Sequence, residues 1–425
     1  MPENRAGNRP GEIRAVRARQ ILDSRGNPTI EAEVLTWEGV LGRAAVPSGA
    51  STGSHESVEL RDGDPKLYGG KSVLKAVRNV TNEIGPQLLG HSCLEQTDID
   101  RIMIELDGTP NKGRLGANAI LAVSMAVMRA AAAQGGVSLY RRIVARSDYR
   151  LPCPMMNVIN GGVHAGTHLA IQEFLVEPVG ADRFSESVRM GAEVYHALKG
   201  ILRDRYGTTS TNVGDEGGYA PPMEKVEQAL DALVGAIAKA GYDDSAVKVG
   251  MDSAATGFYD GKTKSYDIDG RRLSPGELLD YYVGLASRYP ILTIEGPFYE
   301  EGFEDFAAIT AKLGDRVTII GDDIYVTDRR RIERGIGLHS SNSVLIKLNQ
   351  IGTVTETLDA VDCCDRAGMT TVISHRSGET DDSFISHLAT AVGSPFIKAG
   401  APARGERTAK YNELLRIEEE LAPLR

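Results

Sequence analysis

Residues 291–301 read ILTIEGPFYEE. The apolar run Ile291, Leu292 and Ile294 suits a buried strand, which ends on a carboxylate, Glu295, before a Gly-Pro break. A buried charge without a partner is costly, so Glu295 needs a compensating group. The pattern recurs along the chain. VKVGMD (247–252) ends at Asp252, VTIIGDD (317–323) at Asp322 and Asp323, and TTVISHRS (370–377) at His375, Arg376 and Ser377. SVLIKLNQ (343–350) carries Lys347 and PFIKAG (395–400) carries Lys398. Helical stretches fall between them: PGELLDYYVGLASRY, EDFAAITAKLG, TVTETLDAVDCCDRAG and DSFISHLATAVG. Strand–helix alternation without a Gly-rich nucleotide turn favours a closed barrel of (β/α)8 type over a dinucleotide fold. Active sites of such barrels lie at the C-terminal ends of the strands, where these polar residues stand. One polar strand end has an easy structural explanation; a ring of them does not.

The first part of the chain has another rhythm. TIEAEVLTW (29–37) alternates as a half-buried strand, and GVLGRAAVPSG (39–49) can pair with it as a hairpin. Two helical stretches follow, near 72–90 and 115–134, giving an α+β pattern. The prolines and polar residues of VARSDYRLPCP (144–154) suggest a linker. The expected organisation is α/β: a polar, disordered tail over 1–12, an N-terminal α+β capping domain over 13–148, and a barrel domain over 149–425.

The bulk numbers fit an ordinary globular chain. Of 425 residues, 41% are hydrophobic and 25% charged, and the formal net charge is -10. No basic stripe stands out, so no nucleic-acid partner is expected. The four cysteines show no metal spacing and read as reduced thiols of a cytoplasmic protein. The start lacks the apolar core of a signal peptide. LGANAILAVSMAVMRAAAAQGG (115–136) is Ala-rich and interrupted by Arg129, a buried helix rather than a membrane span.

Asp252, Glu295 and Asp322 at one barrel mouth would repel unless a cation sits among them. Hard oxygen ligands without cysteine favour Mg²⁺. For any one of the three alone, a salt bridge explains as much. Lys347, on an apolar strand, can serve as a general base; in isolation a lysine paired with a carboxylate is the simpler reading, and the same holds for Lys398. NVGDEGGYAPP (212–222) places Asp215 and Glu216 in a Gly-rich loop, and GGVHAGTHLAIQEF (161–174) contributes His164 and Glu173. VPSGASTGSHES (46–57) reads as a lid that closes over an anion, and SHRSGET (374–380) offers a guanidinium and a hydroxyl to a phosphate. The residues thus point to a Mg²⁺-dependent barrel enzyme acting on a small phosphorylated carboxylate.

These stretches resemble enolase, the phosphopyruvate hydratase family. The matching runs are LDSRGNPTIEAEV, VPSGASTG, ELRDGD, GANAILAVSMA, MMNVINGG, QEFLVEPVGA, VGDEGGYAP, IKLNQIGTVTET, ISHRSGET and AKYNELLRIEEEL, from about residue 13 to the end. The resemblance implies reversible dehydration of 2-phosphoglycerate to phosphoenolpyruvate through an enediolate, with two Mg²⁺ sites. It implies Asp252, Glu295 and Asp322 as ligands of the first Mg²⁺, with Ser51 joining the second on lid closure beside Gly49 and Ala50. Lys347 matches the base at C2, Glu216 the acid at the C3 hydroxyl with Glu173 beside it, and His164 a loop residue that closes over the substrate. Arg376 and Ser377 match phosphate contacts, Lys398 a carboxylate contact, and His375 stands beside them. A homodimer or higher homo-oligomer is also implied.

Four positions depart from the family pattern. Gly296 replaces an Asp, Gly257 a Glu, Ala399 a Thr and Gly405 a Ser. Each change deletes a polar side chain. They read either as tolerated drift or as the mark of a paralogue acting on a phosphonate analogue, like a carboxyphosphonoenolpyruvate synthase. A third reading is a non-catalytic binding protein that keeps the fold.

Overall fold

A computed structural model describes residues 9–50, 52–162 and 169–422. The chain forms two compact units. The first comprises residues up to Tyr149 together with Lys347–Asp359 and Arg376–Val392. Its sheet has the order β1 (Ile13–Leu22), β2 (Pro28–Thr36), β3 (Leu41–Ala45), all antiparallel. The hairpin expected from alternation is thus the β2–β3 pair. The helix Ala117–Gln134 packs on β2 and β3. The approach is close: a Cβ on Gly42 would stand 2.0 Å from the Ala126 carbonyl oxygen, so β3 needs glycine there. This helix is long and apolar enough to cross a membrane, yet 83% of it is buried inside the protein. The helix Gln96–Asp107 was not foreseen. Ordered structure also reaches into the stretch expected as tail: the Glu12 amide donates to Arg9 O, and Ser92 Oγ to Pro10 O.

The second unit is built on a closed barrel of β4 (Cys153–Asn160), β5 (Glu173–Glu177), β6 (Lys248–Asp252), β10 (Ile291–Glu295), β11 (Thr318–Gly321), β12 (Ser343–Ile346), β13 (Thr370–Ser374) and β14 (Phe396–Lys398). A small antiparallel sheet, β7 (Tyr259–Asp260), β8 (Ser265–Ile268) and β9 (Arg271–Leu273), lies between β6 and β10 in sequence. The alternation identified β6 and β10 to β14. It missed β4 and β5, for a physical reason: β5 runs antiparallel to both neighbours, so β4 and β5 form no strand–helix unit. Met155, Leu175, Ile320, Leu345 and Val372 fill the barrel with apolar side chains, and Phe396 packs against them.

One carboxyl is sealed into the barrel. Glu177 is wholly buried and accepts a hydrogen bond from Thr293 Oγ1 at 2.5 Å. Burial pushes its pKa up to about 8, against the Thr293 bond, which lowers it. The folded chain therefore keeps this proton through a range in which the unfolded chain, near the usual 4.5, has released it. The contribution to stability is complete at pH below the unfolded value and is lost as pH rises toward 8, at about 1.4 kcal/mol per unit. Glu177→Gln is expected to flatten this limb, so that urea unfolding between pH 5 and 9 shows a smaller decline than the parent. An equal decline in both would contradict it.

Candidate active site

The strand registers align a row of polar residues at one rim of the barrel. Asn160 pairs with Glu173, Glu173 with Asp252, and Asp252 with Glu295. Because β5 is antiparallel, its first residue, Glu173, reaches the rim formed by the last residues of β4, β6 and β10. Lys398 ends β14 at the same rim. Its Nζ lies 2.8 Å from Asp252 Oδ2, 2.8 Å from Glu295 Oε2 and 3.1 Å from Glu173 Oε2. The group that compensates Glu295 is thus an ammonium. Burial pulls the Lys398 pKa down, but Asp252, Glu173 and Glu295 outweigh burial and hold it well above the ordinary value. Three carboxylates against one ammonium still lack positive charge. Burial first, then the charge of Glu216, hold the Glu173 pKa well above the usual range, against the pull of Lys398.

Glu216, 2% exposed, sits in the loop after the helix Phe184–Tyr206. Its Oε2 accepts from Asn157 Nδ2 at 3.1 Å and lies 3.3 Å from His375 Nε2. His375 follows β13, and its amide donates to Lys398 O. Behind it stands Arg407, with Nη1 2.7 Å from His375 Nδ1.

In the first unit, Arg376 is held by carboxylate and amide groups. Nη1 donates to Glu56 Oε2 and to Asn349 Oδ1, each at 2.9 Å, and Nη2 to Glu56 Oε1 at 3.1 Å. Such a fork-to-carboxylate pair is the geometry by which a guanidinium also takes a phosphate. Ser377 Oγ accepts from the Ala50 amide at 2.9 Å, and Arg25 Nη2 donates to Gly49 O at 3.1 Å. The loop 47–50 is thereby fastened to the segment that follows β13.

Two further expected residues directly follow strands of the barrel. Lys347 directly follows β12 and precedes the short helix Leu348–Ile351, so the strand ends sooner than its apolar pattern suggests. Asp322 opens the loop after β11, where its carbonyl accepts from Tyr325 N and Val326 N. Among the described residues, no group of three or more His, Cys, Asp or Glu is gathered to hold a metal ion. Ser51 and His164 lie outside the described residues. Asn157, Arg407 and Glu56 went unnoticed in the sequence; each lies in or beside a run shared with the family, but nothing in the sequence shows which group it would touch.

Of the four departures, Gly296 has a conformational reason and nothing in the structure explains the other three. Gly296 has φ +54°, a left-handed conformation that glycine takes without strain, and a Cβ there would meet atoms no nearer than 3.4 Å. A Cβ on Gly257 or Gly405 would meet nothing within 4 Å. Ala399 is fully buried.

Residues 13–143 match the family described as "Enolase, N-terminal domain", and residues 148–424 match "Enolase, C-terminal TIM barrel domain". The chain belongs to the enolase family. The enolase of Methanothrix thermoacetophila is 57% identical over 411 residues, 96% of each chain. That of Methanococcoides burtonii is 55% identical over 409 residues, 96% of this chain and 95% of its own, and that of Methanocaldococcus jannaschii is 54% identical over 410 residues, 96% of each. The activity is that of a lyase, the reversible dehydration of 2-phosphoglycerate to phosphoenolpyruvate in glycolysis, and the substrate is a small phosphorylated carboxylate. Identity and coverage at this level do not favour the phosphonate or the non-catalytic reading. Enolases as a family depend on Mg²⁺.

Proposed function

We propose that the dehydration is carried by Lys347 as base at C2 and Glu216 as acid at the C3 hydroxyl, with two Mg²⁺ ions bound. One observation supports the cation site most directly: oxygens of Asp252 and Glu295 each lie 2.8 Å from the same Nζ. Two buried carboxylates therefore gather where positive charge is required, and their hard oxygen donors suit Mg²⁺ beside that ammonium. Asp252, Glu295 and Asp322 would hold the first ion, and Ser51 would join the second. When bound, Mg²⁺ supplies positive charge against the substrate carboxylate and lowers the cost of the doubly charged enediolate.

The chain's own groups do the rest. Lys398, engaged by three carboxylates, is a cation for the substrate carboxylate rather than a base, which leaves Lys347 as the base. Arg376 and Ser377 take the phosphate, Arg376 exchanging the Glu56 carboxylate for it. Glu173 supports proton transfer beside Glu216, His164 belongs to a loop that closes over the substrate, and His375 stands with the substrate-binding residues. The loop bearing Gly49, Ala50 and Ser51 closes over the substrate. The reading includes a capping domain over 13–148 and a barrel domain over 149–425, assembly at least as a homodimer, and a cytoplasmic location.

The test is Mg²⁺ affinity by titration calorimetry. Glu295→Gln is expected to weaken binding by more than about 100-fold, beyond the 10–100-fold that loss of an outer partner of a metal site costs. Unchanged affinity would overturn the assignment.

A further inference from the structure

Arg407 is among the largest fully buried side chains of the protein, and the reaction as read above gives it no task. Its place is purpose-shaped. It stands in the first turn of the helix Gly405–Leu421 and runs past Gly400, whose φ is +87°. A Cβ on Gly400 would lie 2.7 Å from Arg407 Cδ and 2.8 Å from Glu216 O, so glycine is what lets the side chain through. Nη2 donates to Asp215 O at 3.0 Å, and Glu406 Oε1 lies 3.3 Å from Nε.

Nη1 then meets His375 Nδ1 at 2.7 Å. A guanidinium has only donors and keeps its charge, so Nδ1 must accept. An imidazole that accepts through Nδ1 is neutral and carries its hydrogen on Nε2. That Nε2 lies 3.3 Å from Glu216 Oε2, the oxygen that Asn157 Nδ2 reaches at 3.1 Å. The Asn157 amide donates to Oε2 and the His375 Nε2 hydrogen stands close to the same oxygen, which disfavours a proton there. A protonated Glu216 therefore carries its hydrogen on Oε1.

We propose that Arg407 is a positioning residue for the dehydration: it locks His375 as the Nε2–H tautomer and, through that ring, turns Glu216 so that Oε1 presents the acid proton. The proposal rests on the reading of Glu216 as the acid.

The experiment joins kinetics to nitrogen NMR of histidine-labelled protein, with the His375 signals identified by their loss in His375→Gln. The parent is expected to show His375 neutral with hydrogen on Nε2. Arg407→Met should scramble that tautomer and lower kcat about 10–100-fold with KM little changed, the usual cost of losing an outer orienting partner. Arg407→Lys, which keeps a cationic donor, should recover much of kcat; a purely structural role would give no such link between tautomer and turnover. A parent His375 with hydrogen on Nδ1, or parental kcat in Arg407→Met, would overturn the proposal. If Arg407→Met does not fold, the parent spectrum and Arg407→Lys decide. Full dehydration by Glu216→Gln would instead overturn the acid assignment itself, and it is read independently of the tautomer.

Discussion

Lys347→Ala is expected to lower turnover of 2-phosphoglycerate by about 10³- to 10⁴-fold, the upper range for loss of a positioned general base. The proton at C2 lies beside a carboxylate and is scarcely acidic, so no neighbouring water can stand in for the lysine. Folding and Mg²⁺ binding should survive, because Lys347 is only half-buried. Exchange of the C2 hydrogen in deuterium oxide isolates the step. The parent should exchange, Lys347→Ala should not, and Glu216→Gln should exchange while failing to release water. Exchange persisting in Lys347→Ala would reassign the base.

Lys398→Met carries the second large effect, on stability. The substitution keeps the volume but leaves Asp252, Glu295 and Glu173 buried together without their shared cation. Removing one partner of a buried ion pair costs about 3–5 kcal/mol, because the remaining charges are uncompensated. The metal-free variant should lose about that much in urea unfolding measured with a chelator. Mg²⁺ should restore more stability to the variant than it adds to the parent, since ligand binding to the folded form is itself stabilising. Equal stability of variant and parent without metal would mean that the ammonium is not what holds these carboxylates.

The same cluster shows what the sequence could and could not convey. A strand such as ILTIE announces that its last residue needs a counter-charge, and ring-like recurrence announces the barrel. Which group supplies the charge depends on register across strands far apart in sequence: Glu295 meets Lys398, 103 residues away. The strand alone shows the need for positive charge and not the lysine that lies across the barrel from it. β5 was illegible for a related reason. Its direction is set by packing between β4 and β6, and a short apolar run such as EFLVE looks the same in either direction. Arg407 and Asn157 were hidden because their importance lies in a hydrogen-bond chain, Arg407 to His375 to Glu216, that local pattern does not encode. Gly296 shows the converse. Its deleted carboxylate leaves drift and a changed substrate both open in the sequence, which does not show that the backbone there takes φ +54°, a conformation glycine adopts without strain.

The most direct test of the whole account is formation of phosphoenolpyruvate from 2-phosphoglycerate by the purified protein, followed by ultraviolet absorbance with Mg²⁺ and again after chelation. The account predicts turnover that chelation abolishes, that returned Mg²⁺ restores, and that Lys347→Ala lacks. A folded, Mg²⁺-binding protein that forms no phosphoenolpyruvate would contradict it.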